Sequence, residues 1–449
     1  MRELLEAAFG ERASFNPEVL KAHGRDEGYP EVRPVDAVVF AESVEDVEKL
    51  IRLAAEHGFS VIPFGAGTSL EGHLLPERRP AVSLDLSRMN RVLEIRPEDF
   101  VAVVEPGVTR EELNRRLRPH GLFFPVDPGA NASLGGMAAT NASGTTTVRY
   151  GGMRQNVLAL EAVMATGERV RFGRPVMKTS SGYDLKDLLI GSEGTLGVIT
   201  KLYLRLHPLP AEVHALRVFF PSVEAAAQAS YALIGAGLPV ARLELLDRRA
   251  VEAVNAYVGS AYPEAPALFI EFHSSTPEAL KAERAVAEEL IAEFDPIEVV
   301  AASNEAERRA QWEARHQAYW ALVRLFPEHK FVITDTAVPL SKLPELVAYA
   351  ARLMDEMGLE GSILGHVGDG NFHTVVAVPL ERYPEAEAFS TKLVERALML
   401  GGTATAEHGV GLRKKKFMEK EHGPALFWMQ KLKAAFDPKG ILNPGKILP

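Results

Sequence analysis

"PFGAGTSLEG", residues 63–72, decides how this chain is read, because it follows an apolar run and carries glycine where a backbone must approach a ligand closely. Gly65 and Gly67 match the first two glycines of a dinucleotide-binding fingerprint, and Asp85 lies about where its ribose-binding acid would fall. The third glycine position is Leu70, however, and the following "EGHLLPERRP" cannot open the helix that such a motif needs. A doubly wound dinucleotide fold therefore fails on context. What survives is a loop whose N–H groups form an anion nest without a helix, and for this segment alone a plain turn is the stronger reading.

Working outward, "AVVFAESVEDVEKLIRLAAEHGFSVIPFG" has a β-branched run at 37–40, a cap pattern at Ser43 and Asp46, a helix-period run to Gly58, and another strand. This is a β-α-β unit. "AVSLDLS", "RVLEI" and "FVAVVEPG" predict short strands, and Thr109 with Glu112 starts a helix that stops before Gly121. Residues 125–152, "PVDPGANASLGGMAATNASGTTTVRYGG", have no period that could bury a face and predict a long functional loop. In "LLIGSEGTLGVITKLYLRLHPLP" (188–210), Gly191, Gly194 and Gly197 punctuate a strand, and Pro208 and Pro210 mark a domain boundary.

Beyond that boundary, strands such as "ALRVFF" and "ALFIEFH" alternate with helical runs at 222–236, 277–293 and 304–326. The pattern predicts an α+β domain with an antiparallel sheet. A last helix ends near Asp437 and runs into a proline- and glycine-rich tail. The expected division is 1–210, 211–420 and a returning tail, 421–449.

Composition narrows the function. The 449 residues carry a net charge of -10, which disfavours nucleic acid as a partner. No cysteine is present, so disulfides, thiolate catalysis and cysteine-held metal clusters are excluded, and an electron would need a bound organic cofactor. The start, "MRELLEAAFGERASF", lacks the apolar core of a secretory signal, and a cytoplasmic protein, at most peripheral to a membrane, is expected.

"GHVGDGNFH" (365–373) sets two histidines around a turn. If Asp369-Gly370 is the turn, or "GDGN" a four-residue loop, His366 faces His373 directly, with Cβ atoms roughly 4.5–5.5 Å apart. A metal site and a plain hairpin fit this spacing equally. "TAEHGVG" (405–411) puts an acid beside a histidine before a glycine turn, which alone reads as an exposed polar loop. In "QWEARHQAYW" (311–320), Trp312, Arg315 and Tyr319 share one helical face, so Arg315 could clamp a carboxylate or simply sit at the surface. "RKKK" (413–416) is expected to be a solvated helix start.

Three glycine-rich segments in one domain, with Ser133, Asn141, Ser143 and Thr145 as donors, point to a long, polar, multiply anchored ligand. "PFGAGTSLEG", "PVDPGANASLGGMAATNASGTTTVRYGGMRQNVLALEAV" and "KTSSGYDLKDLLIGSEGTLGVIT" closely resemble the flavin-binding domain of the vanillyl-alcohol oxidase family, the PCMH-type FAD domain. With "ILNPGKIL", "HVGDGNFH" and "EHG", the likeness is strongest to that family's D-2-hydroxyacid dehydrogenase branch, which includes D-lactate dehydrogenases and the glycolate oxidase flavin subunit. The resemblance implies an α+β fold: a PCMH-type FAD-binding domain of two α+β subdomains and a ferredoxin-like substrate (cap) domain.

It further puts Pro63, Gly65, Ala66, Gly67, Thr68 and Ser69 on the FAD pyrophosphate. Pro128, Gly129, Ser133, Gly136, Asn141, Ser143, Gly144 and Arg149 would follow the rest of the cofactor, Gly194 and Ile199 would close the adenine side, and Asn443 would join them from the tail. Thr68 stands where some relatives attach flavin to histidine, so the FAD is expected to be noncovalent, and His73 is expected at the surface. His366, His373 and Glu407 would ligate a divalent ion (Zn, Mn or Fe), His408 would be the base, and Arg315 would bind the substrate carboxylate, while Asp369 and Asn371 would shape the turn.

A lysine that larger-substrate relatives carry before the aspartate of "TDTAVP" is missing, with Ile333 or Thr334 in its neighbourhood, which suggests a small monocarboxylate. The expected reaction is oxidation of D-lactate or glycolate to the 2-oxoacid, with hydride passing to the flavin. The competing readings are an alkyl-glycerone-phosphate-synthase-like flavin transferase and a non-catalytic FAD-bearing subunit of an oxidase complex. The electron acceptor is not legible.

Overall fold

The computed structural model describes residues 1–449, and the chain forms two compact units. The first comprises Met1–Ser143, Gly151–Leu209 and Glu407–Pro449; the second comprises Gly144–Tyr150 and Pro210–Ala406. The second unit ends at Ala406, earlier than the 420 expected from sequence, and it includes a short piece of the supposed flavin loop. No helix is long and apolar enough to cross a membrane.

In the first unit, Ser43 caps the helix Val44–His57 by accepting from Asp46 N–H at 3.4 Å, and Gly58 closes it at φ 77. The flanking strands Ala37–Phe40 and Ser60–Phe64 do not pair with each other. Strand Ala81–Asp85 lies between them, parallel to both. The tail extends the sheet edge, because Val61 N–H donates to Ile441 O at 2.8 Å and Asn443 N–H donates to Val61 O at 2.9 Å. A second, antiparallel sheet runs Val92–Arg96, Val101–Val104, Val198–Arg205, Val157–Val163, Arg169–Gly173.

The structureless loop expected over 125–152 contains a helix, Leu134–Thr140, which buries Leu134, Met137 and Ala138. Small residues hid it, since they give little periodic contrast but permit close packing. A Cβ on Gly135 would lie 2.5 Å from Pro106 Cβ. Asn141 ends the helix in the left-handed region, at φ 55.

The second unit is built on an antiparallel sheet ordered Glu298–Ala301, Glu212–Phe219, Ala267–Ser274, Val240–Leu246, Glu360–Gly365, Asn371–Val378, Lys330–Ile333. Alternation divides its faces: Leu268, Ile270 and Phe272 enter one core, and Ala267 and Phe269 enter another with Trp312 and Leu322. The period of two therefore sends Glu271 and His273 to the Trp312 face, and likewise Arg242 and Glu244 on the neighbouring strand. The helix expected over 304–326 is two helices, Glu305–His316 and Ala318–Leu325, joined at Gln317, so Tyr319 is on a different helix from Trp312 and Arg315.

Candidate functional site

The glycine-rich segments of the first unit converge. A Cβ on Gly65 would lie 2.2 Å from Ser133 Oγ, and one on Gly136 would lie 3.0 Å from the same atom. Gly194 packs against Pro63, whose Cγ would be 2.8 Å from an added Cβ. Ser133 Oγ is buried and has no hydrogen-bond partner within the protein. Closely approaching backbone around an unpaired donor is what a phosphate-bearing ligand requires, and these residues fit FAD.

Other residues expected along the cofactor also bond within the protein. Ser69 Oγ donates to Asp26 Oδ2 at 2.8 Å, Asn141 Oδ1 accepts from Arg154 N–H at 3.1 Å, and Ser143 Oγ donates to Glu407 Oε2 at 2.8 Å. Ile199 is part of the apolar core. Asn443 is buried and donates to Glu193 O at 2.8 Å, tying the tail to the third glycine segment. Thr68 and Pro128 are half-buried, while Ala66 and Gly129 are exposed. Gly144 and Arg149 belong to the second unit.

Two expectations about charge are overturned. His73 is not at the surface but 5% exposed, with Nε2 3.3 Å from Glu193 Oε2. Burial pulls its pKa down, yet the carboxylates of Glu193, Asp26 and Glu71 outweigh this and the net shift is upward. Arg413 and Lys414 are likewise buried, at 8% and 2% exposure, rather than a solvated helix start. The cause is Glu71, fully buried, 3.2 Å from Lys414 Nζ and 3.4 Å from His408 Nδ1. Burial raises the Glu71 pKa, but Lys414, His408 and Arg413 bring it below its ordinary value.

In the second unit the hairpin register differs from the expected one. Leu364 pairs with His373 and Ile363 with Thr374, and the connection is a single 3-10 turn, Val367–Asp369, closed by Gly370 at φ 84. Asn371 N–H donates to His366 O at 3.3 Å, so the loop is centred one residue before Asp369-Gly370 and His366 is not directly opposite His373. The slip changes the pairing by two positions, which makes the histidines diagonal neighbours on the same face. Their ring centroids are 5.3 Å apart at 88°.

Both rings are held through Nδ1. His373 Nδ1 lies 2.9 Å from Thr334 O, and His366 Nδ1 lies 2.6 Å from Glu244 Oε1. Coordination by either histidine would therefore run through Nε2. Glu244 is fully buried, and its other oxygen accepts from the Arg315 guanidinium. Burial opposes its charge, but His366 and Arg315 hold its pKa at about 2.

Buried Asp335 accepts from Asn371 Nδ2 at 3.1 Å, from Thr405 Oγ1 at 2.7 Å and from Ala406 N–H at 3.0 Å. Asn371 thus bonds to Asp335 as well as following the turn. Farther along the same sheet face, Glu271 accepts from Trp312 Nε1 at 2.6 Å and from Arg308 at 3.0 Å. It also meets His273 Nε2 at 2.9 Å, whose Nδ1 is 2.7 Å from Tyr150 OH. Sequence reasoning missed Glu71, Glu244, Glu271 and Asp335 as functional candidates. Two carried a signal, since Glu244 and Glu271 each interrupt an apolar strand, in "ARLELL" and "ALFIEFH".

The family described as FAD linked oxidases, C-terminal domain, matches residues 209–447, and that described as FAD binding domain matches residues 35–173. A Danio rerio protein named "Probable D-lactate dehydrogenase, mitochondrial" is 42% identical over 98% of this chain and 89% of its own. The chain belongs to the FAD-linked oxidase family. This FAD-linked oxidase is also 34% identical to the glycolate oxidase subunit GlcD of Bacillus subtilis, across 92% of its length and 88% of the relative's. Its fold matches that of p-cresol methylhydroxylase with substrate bound, at TM-score 0.83 over 99% of this chain and 95% of the other. At 18% identity that likeness concerns the fold alone.

Proposed function

We propose that this FAD-linked oxidase oxidises a small D-2-hydroxyacid, D-lactate or glycolate, to the 2-oxoacid with the help of a divalent ion. The observation that carries the metal part is that His366 and His373 share one face with both Nδ1 atoms engaged. Glu407 is the third ligand: the segment that Asp335 holds at Thr405 and Ala406 continues by one peptide bond into it. Relatives named for D-lactate and glycolate support the substrate class.

In this reading Arg315 binds the substrate carboxylate and His408 takes the hydroxyl proton. Bound FAD supplies a two-electron acceptor for the α-hydrogen as hydride, and the ion supplies Lewis acidity toward the hydroxyl. Thr68 in the place of a linking histidine makes the FAD noncovalent, and the missing lysine before Asp335 favours a monocarboxylate. The cytoplasm is the proposed location.

Anaerobic mixing of the FAD-loaded protein with D-lactate, L-lactate and glycolate, followed at the flavin absorbance, tests this. D-lactate or glycolate should bleach the flavin, chelator treatment should slow bleaching, and His408→Ala should slow it by several orders of magnitude. Bleaching unchanged by either treatment refutes the respective role.

A further inference from the structure

The second unit contains a carboxylate that serves two of the proposed site residues at once. Glu244 lies in the strand Val240–Leu246 and is fully buried, on the sheet face that also carries Leu246 and meets Trp312. A carboxylate in such a place must satisfy both its oxygens or be very costly. One oxygen, Oε1, lies 2.6 Å from His366 Nδ1, and the other accepts from Arg315, itself only 7% exposed. No element near in sequence supplies these partners: His366 comes from the hairpin connection and Arg315 from the helix Glu305–His316.

Two consequences follow from hydrogen-bond chemistry. A carboxylate only accepts, so His366 carries a proton on Nδ1, and in the neutral ring the lone pair sits on Nε2. The planar guanidinium donates to the second oxygen, so the orientation of Arg315 is fixed by the same group that fixes the imidazole. His373 achieves its tautomer differently, through the Thr334 carbonyl at 2.9 Å, which has no charge to give.

We propose that Glu244 is a positioning residue: it fixes the His366 ring as an Nδ1–H tautomer with Nε2 turned toward the ion, and anchors Arg315 beside it. This rests on the ion reading given above. Removal of Glu244 therefore acts on the ion only through His366.

The test uses the full-length, FAD-loaded protein and zinc competed against a chromogenic chelator. Glu244→Gln should weaken zinc binding about 10–100-fold while FAD content stays at the wild-type level. Because Glu244 acts through His366, the double variant Glu244→Gln/His366→Ala should bind zinc no more weakly than His366→Ala alone. Equal affinity of wild type and Glu244→Gln overturns the inference, as does full additivity in the double variant. Wild-type protein that binds no zinc overturns the ion reading and this inference with it.

A measurement on the unaltered chain guards against a variant that fails to fold. In metal-free protein labelled with nitrogen-15 at histidine, long-range proton–nitrogen correlations should report His366 as the Nδ1–H tautomer. An Nε2–H tautomer there refutes the assignment without any mutation.

Discussion

Gly65 sits with its Cα against Ser133, and any side chain would put a carbon 2.2 Å from Ser133 Oγ. Gly65→Ala should therefore displace the buried hydroxyl or the loop, and the purified variant should retain far less FAD, measured as the flavin-to-protein absorbance ratio. Wild-type FAD content in that variant would show that this approach does not form the cofactor cradle. At this scale the sequence already singled out Gly65 and Ser133, because three glycine-rich segments with polar donors occur in one domain, although the first alone reads as a plain turn. It could not foresee that Ser69, Asn141 and Ser143 would bond to Asp26, Arg154 and Glu407, since these partners are distant in sequence.

At the scale of elements, helices announced themselves through their caps. Ser43 and Thr109 begin helices where the spacing of their partners Asp46 and Glu112 required. The hairpin was legible as a hairpin and mis-centred by one residue, because Asp369-Gly370 is a strong two-residue turn signal that a 3-10 turn overrides. Gly370 is the reason: at φ 84, with an added Cβ 2.3 Å from Val338 O, only glycine closes the turn against its neighbour. Gly370→Ala should destabilise the fold by about 1–3 kcal/mol, read from chemical denaturation, and should weaken zinc binding by disturbing His366. An unaltered denaturation midpoint would mean that the turn relaxes without cost.

For the molecule as a whole, acid stability follows from the buried carboxylates. Glu271 faces His273, Arg242, Arg308 and Trp312; burial raises its pKa, but these partners outweigh it and hold it at about 2. The folded value lies below an unfolded value of roughly 4.3. Its stabilisation is therefore complete above that value and is lost as pH falls toward 2. The thermal midpoint should drop between pH 5 and pH 2.5 (values on the order of the carboxylate range), and Glu271→Gln should lower the midpoint at neutral pH while flattening that drop. A variant with the wild-type acid slope would assign the acid sensitivity to other groups.

What depends on neighbours within a few residues was legible along the chain: the capped helices, the alternating strands, the glycine loops after strands, and two histidines on one face of a hairpin. The histidine pair survived even the wrong register, because a change of two positions preserves the face. Which charges are buried together emerged only in the folded chain. Glu71 draws Lys414 and Arg413 out of an apparent surface run, His73 goes inside beside Glu193, and Glu244 joins His366 to Arg315. A buried carboxylate is stable only with cations and donors placed around it, and those come from chain segments far apart in sequence.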